Sequence, residues 1–215
     1  MAVGTDGGQG IMKIAIMVEG KTERAFLHAF RCFLYTKLPD CMPRLDPLPY
    51  NGRIPKGDKL RKEVTLLLCG HNPADAVIAL TDVYTGTNLP EFKNAEDAKR
   101  KMREWVGSEP RFYPHAAQYE FEAWLLPYWD TIQKLAGHNA ASPGTNPETV
   151  NHTNPPSQRI EDLFRRGSRR GSYVKTRDAS RILRDVDLSL AIEKCGELKA
   201  LVNTIIMLCG GETVP

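Results

Sequence analysis

The apolar run Ile14-Ala15-Ile16-Met17-Val18, opened by Lys13 and stopped by Glu19 and Gly20, constrains the fold more than any other stretch. It has no polar alternation, so neither side is suited to water, and it reads as a strand buried on both faces of a parallel sheet. Apolar residues then recur at helical spacing through Phe26, Leu27, Phe30, Phe33 and Leu34. Glu19 therefore stands where the strand's carboxyl end meets a turn, and Gly20 lets the backbone bend sharply there. In open α/β sheets that edge is where ligands bind. Glu23, one helical turn further on, can face the same crevice.

Two more strands end in the same way. Ala76 to Thr81 is a second continuous apolar run, closed by Asp82. Arg111 to Gln118 is a third strand, followed by Glu120 and Glu122 in the helical start Glu120 to Leu126, which Pro127 should break. Leu45 to Leu48 reads as a short strand between prolines. Asp58 is expected to cap a helix from Lys59 to Cys69, and Asn94 one from Ala95 to Val106 that stops at Gly107. Strand–helix alternation from residue 13 to about 136 predicts an α/β fold, doubly wound around a mainly parallel sheet.

The remainder has a different texture. Gly137 to Pro156 is rich in Asn, Pro, Thr, Gly and Ser and reads as a long loop. Helical patterns follow over Gln158–Arg166, Asp178–Val186, Leu188–Cys195 and Glu197–Leu208. Residues 137–215 are thus expected to form a loop and helical region packed on the same domain as residues 13–136. Met1 to Gly10 is small, polar and glycine-rich, without a signal-peptide pattern. Residues 1–12 are expected to be a disordered extension or an added tail, with Met12 a candidate natural start.

Carboxylates presented from neighbouring strand ends would converge on one crevice, and like charges there are costly unless a cation neutralises them. Glu19, Asp82 and Glu122, with Glu23 and Glu120 beside them, are hard oxygen donors suited to Mg²⁺ or Mn²⁺. Two other readings compete. Ala15-x-x-x-x-Gly20-Lys21-Thr22 matches the loosest form of a phosphate-binding loop, but strand residues occupy the supposed cradle and Glu19 would repel phosphate. Acids in a helix's first turn are also stabilising without function. That account serves Glu23 better than Glu19, which precedes the helix.

Arg165, Arg166, Arg169, Arg170, Lys175 and Arg177 make a run of six cations without an acid, and Tyr173 lies among them. Such a run suits backbone phosphates, with Tyr173 available for stacking; a solvated loop is the plain alternative. The net charge of +3 is compatible with nucleic acid but too small to argue for it alone. Five cysteines without C-x-x-C spacing argue against zinc or a disulfide framework. Three lie in apolar helical patterns and read as buried reduced thiols. No apolar run is long enough to span a bilayer, so no membrane partner and a cytoplasmic location are expected. His115 could act as a base, but a core histidine accounts for it better.

Taken together these residues resemble a Toprim domain, the fold of bacterial primases, topoisomerases and OLD-type nucleases. Val18-Glu19-Gly20-Lys21-Thr22-Glu23 is similar to the first acidic element, with Glu23 at the spacing of the second acid in OLD-type nucleases. Thr81-Asp82-Val83-Tyr84 is similar to the Asp-x-Asp element, except that Tyr84 replaces its second Asp. The resemblance implies that Glu120 or Glu122 supplies the missing ligand, since OLD-type enzymes use a downstream Glu. More closely, residues 13–209 resemble a bacterial Toprim-like family of unknown function often encoded beside ATPase genes in anti-phage loci. Pro147-Glu148-Thr149-Val150-Asn151, Pro155 to Ile160 and the Tyr173/Lys175 pair carry that likeness.

The expected function is metal-dependent hydrolysis of phosphodiesters in DNA or RNA, with Arg159 and Lys175 stabilising phosphoryl charge. An ATPase partner and a homo-oligomer are compatible with it. The alternative is a non-catalytic nucleic-acid-binding or sensor subunit docked on an ATPase, which the lost Asp would permit.

Overall fold

The computed structural model describes residues 11–20, 22–50, 52–83, 91–150, 154–168 and 171–215, with side chains for all of these but 22–25. Four strands form one sheet among them: β1 (Lys13–Val18), β2 (Arg44–Pro49), β3 (Ala76–Asp82) and β4 (Phe112–Ala117). Their order is β2-β1-β3-β4 and every pairing is parallel. The chain leaves β1 toward β2 and later returns past it to β3 and β4. The order therefore reverses between β1 and β3, which makes the gap beyond their carboxyl ends the crevice of the fold.

Strand period two divides the core. Ile14, Ile16 and Val18 of β1 pack into one cluster with helix α1 (Thr22–Lys37), while Ala15 and Met17 pack into another with α2 (Asp58–Cys69) and α3 (Ala95–Val106). Helices thus cover both faces, as uninterrupted apolar strands require. Burying each Ile or Val side chain contributes roughly 1.5–3 kcal/mol, and the polar substitution Ile16→Asn would remove that at the sheet's centre. β2 tolerates Pro47 and Pro49 because it lies at the edge, where a missing N–H is not missed by a second neighbour.

The later helices belong to the first cluster. α4 (Trp129–Ala136), α5 (Pro156–Arg166), α6 (Lys175–Ile182), α7 (Ser189–Lys194) and α8 (Gly196–Leu208) bring Ile132, Ile160, Ile182, Ile192 and Leu201 against β1 and α1 residues. Among the described residues no helix is long and apolar enough to cross a membrane.

Several local expectations change. Pro127 does not break a helix: Phe121–Tyr128 is a 3₁₀ helix that contains it and runs into α4. Asp58 is inside α2 rather than its cap, which is Gly57 with no side-chain bond. Asp178 likewise sits in the first turn of α6 and reaches back to the Val174 N–H at 2.8 Å. Asn94 does cap α3, accepting from the Asp97 N–H. Cys32, Cys41 and Cys69 are exposed and only Cys195 is fully buried, so the helical cysteines are not uniformly core residues. An apolar helical pattern fixes a face, and Cys32 and Cys69 fall off it.

Candidate functional site

Parallel register brings the first two acids together. Met17 pairs with Ala79, so Glu19 and Thr81, each two residues on, are level at the sheet edge. There the Thr81 hydroxyl donates a hydrogen bond to Glu19 Oε1. Asp82 ends β3 opposite Ala117, and its Oδ1 accepts the Phe121 N–H at 2.9 Å. One carboxylate thus ties the end of β3 to the first residue of the 3₁₀ helix that carries Glu122.

The route from β4 into that helix is strained. Tyr119 has φ 70°, a left-handed conformation that costs a non-glycine residue of order 1 kcal/mol and clusters at functional sites. Just after it, Glu120 is turned so that its Oε2 accepts the Ser157 N–H of α5 at 2.9 Å. Sites where a rule is broken locally need support from elsewhere, and here α5 supplies it.

Glu122 is only 1% exposed. Burial raises its pKa, Lys175 opposes that and Glu120 adds to it. The Lys175 ammonium lies 2.9 Å from Glu122 Oε1 and compensates the charge of this buried oxygen. Lys175 is itself half exposed, at 51% of its side chain. Burial of its head would lower its pKa, yet Glu122, Glu120 and Asp82 together raise it.

The predicted nucleic-acid run behaves differently. Tyr173 is a correction: it is 8% exposed, with its ring 5.7 Å from that of Phe164, so no face is offered to a base. Its hydroxyl is buried without a hydrogen-bond partner, and burial, then Glu122, Asp178 and Glu120, push its pKa up. Arg177 grips fully buried Asp178 at 2.9 and 2.7 Å, which explains the cation structurally. Arg165 pairs with Asp162. Arg166 lines a cavity of about 140 Å³ with Trp129, Asn154, Arg159 and Asp162, and Arg159 Nε donates to the Asn154 carbonyl at 3.1 Å. Arg169, Arg170, Lys21, Tyr84 and the Glu23 side chain lie outside the described residues.

Two structural roles were not readable beforehand. Glu148, in a 3₁₀ helix over Pro147–Thr149, accepts Trp124 Nε1–H at 3.1 Å and the Glu197 N–H at 3.2 Å, capping α8 from a distant stretch of chain. Thr81 could have been found, because it is the residue level with Glu19 in a parallel pairing. His115 is the core histidine expected, 6% exposed with Nε2 3.0 Å from Thr204 Oγ1.

Among the described residues no group of three or more His, Cys, Asp or Glu side chains stands at distances that already form a metal cage. In donor chemistry the set still fits a hard divalent cation. It consists of carboxylate oxygens, the donor class such ions prefer.

Residues 18–206 match the profile of a family described as a domain of unknown function (DUF4276). No curated protein matches the sequence significantly. Among solved structures, the C-terminal region of the Burkholderia pseudomallei OLD protein aligns over 92% of this chain and 98% of its own, with 14% identity and a TM-score of 0.53. The corresponding region of the Xanthomonas campestris pv. campestris OLD protein aligns over 91% and 96%, with 18% identity and a TM-score of 0.41. The first likeness is one of fold.

Proposed function

The chain belongs to the DUF4276 family of domains of unknown function, and from that premise and its acidic sheet edge we propose that it is a metal-dependent phosphodiesterase of nucleic acid, related in kind to the Toprim-type OLD nucleases. The observation that carries the reading is the bond from the Phe121 N–H to Asp82 at 2.9 Å, which ties the end of β3 to the 3₁₀ helix carrying Glu122, with the Lys175 ammonium 2.9 Å from Glu122. Glu19, Asp82 and Glu122 would hold Mg²⁺ or Mn²⁺, with Glu23 and Glu120 as auxiliary ligands. When bound, such an ion supplies Lewis-acid polarisation of the phosphate and a water of lowered pKa.

The chain's own residues do the rest. The Thr81 hydroxyl orients Glu19, and the Phe121 N–H fixes Asp82. Lys175 offers a half-exposed ammonium to the charge that develops on phosphoryl oxygens. Arg159 and Arg166, on one face of α5, would hold the flanking backbone. An ATPase would be a fitting partner for a subunit of this kind in anti-phage defence.

The test is a cleavage assay on plasmid, single-stranded DNA and RNA, with and without Mn²⁺. Manganese-dependent products that disappear in Glu19→Gln and Asp82→Asn are expected. Cleavage that persists in both variants, or none on any substrate, overturns the catalytic reading. One observation favours a second reading, a binding or sensor subunit: Lys175 already neutralises Glu122 in place of a metal. In that case nucleic acid binds without cleavage.

A further inference from the structure

The largest sulfur concentration in the molecule lies at the opposite edge of the sheet from the acids. Met12 immediately precedes β1, and its carbonyl accepts the Arg44 N–H that opens β2. Cys41 and Met42 lie in the turn before β2, and Met207 and Cys209 lie at the C-terminal end of α8. All five line one cleft of about 730 Å³, half of its ten lining residues among the described ones. The chain has 6 Met and 5 Cys in 215 residues, so this clustering is not a reflection of composition.

Packing accounts for only part of it: Met12, Met42 and Cys209 rest half-buried against the core, while Met207 is 57% exposed and Cys41 is exposed. Core methionines fill gaps away from water. Here thioethers and thiols border an open space, and the five cysteines of the chain are all free. Thiolate and thioether donors are soft and select d¹⁰ ions such as Cu(I), whereas the carboxylate edge suits hard cations.

We propose that this cleft is a binding site for a soft monovalent metal ion, Cu(I) or its analogue Ag(I), held by Cys41 and Cys209, with a thioether drawn from Met12, Met42 or Met207 completing the sulfur shell. The site is separate from the acidic edge and does not rest on the nuclease reading. Each ligating thiol gives its proton to solvent as its sulfur–metal bond forms, and the ion stays in the +1 state, so no oxidant is required. Because each ligating thiol must lose its proton, binding weakens as pH falls.

The experiment is an anaerobic titration of the reduced full chain with Cu(I) against a colorimetric Cu(I) chelator. One equivalent should bind, with an all-sulfur shell by X-ray absorption, and Mn²⁺ should not compete. Cys32→Ser/Cys69→Ser removes two exposed thiols elsewhere and should bind as wild type does. Cys41→Ser/Cys209→Ser should lose affinity by about tenfold or more, a loss of the size ligand-shell changes cause. Met207→Leu, at a position too exposed to threaten folding, should weaken binding with an unchanged melting temperature. Equal binding by wild type and Cys41→Ser/Cys209→Ser, or loss in the Cys32→Ser/Cys69→Ser control, would overturn the site.

Discussion

The Lys175 ammonium stands 2.9 Å from Oε1 of Glu122, and that contact joins the start of α6 to the 3₁₀ helix at the end of the sheet. One partner is 1% exposed and the other half in water, so the pair is neither a surface bridge nor a closed one. Lys175→Met should therefore cost about 1–2 kcal/mol, less than the 3–5 of a fully enclosed pair because water screens the ammonium. Adding Glu122→Gln should restore part of that loss. Urea melts of the two single variants and the double variant check it, and a double variant no more stable than Lys175→Met would show that the pair is not coupled.

Glu148 should behave as the missing cap of α8. The N-cap residue Cys195 makes no side-chain bond to the helix, and the Glu148 carboxylate takes the Glu197 N–H instead. Glu148→Ala should cost about 1–3 kcal/mol, since it frees a helix N–H and the fully buried Trp124 indole N–H together. Glu148→Gln keeps an acceptor for Trp124 and should recover part of that. Denaturant midpoints followed by Trp fluorescence give the numbers.

His115 should set part of the acid limb of stability. Burial, with Lys99 and Arg103 nearby, lowers its pKa from 6.5 to about 3. The folded state thus keeps it neutral while the unfolded chain protonates it. Its contribution is full above 6.5 and is lost as pH falls toward 3, at up to about 1.4 kcal/mol per pH unit. A His115→Gln variant should show a shallower decline than wild type across that window in melts at stepped pH. Parallel curves would mean that His115 titrates alike in both states.

Arg177 should matter to stability and not to nucleic acid. It contacts both oxygens of fully buried Asp178, whose carboxyl is held below its usual range by these bonds despite burial. Arg177→Gln should cost about 1–3 kcal/mol. If the protein binds DNA, the slope of log K against log salt should stay the same, whereas a true phosphate contact contributes about 0.9 to it. A flattened slope would return Arg177 to the interface.

Much of this molecule was legible locally. The run Ile14 to Val18, the Asn94 cap and the strand–helix alternation were readable because hydrophobic period and capping are properties of neighbours along the chain. For the same reason Glu19, Asp82, Glu120 and Glu122 could be placed at strand ends before any contact was known. The long-range partnerships were decided only by tertiary packing. Nothing near Tyr173 in the chain says that its ring packs on Phe164 or that Lys175 turns inward to Glu122, whereas Arg177 and Asp178, and Arg165 and Asp162, are neighbours along the chain. A cationic run looks alike whether it faces phosphate or buried carboxylates. Which it meets depends on how α5 and α6 dock on α1 and the sheet, and the side chains that decide that docking are far away in sequence.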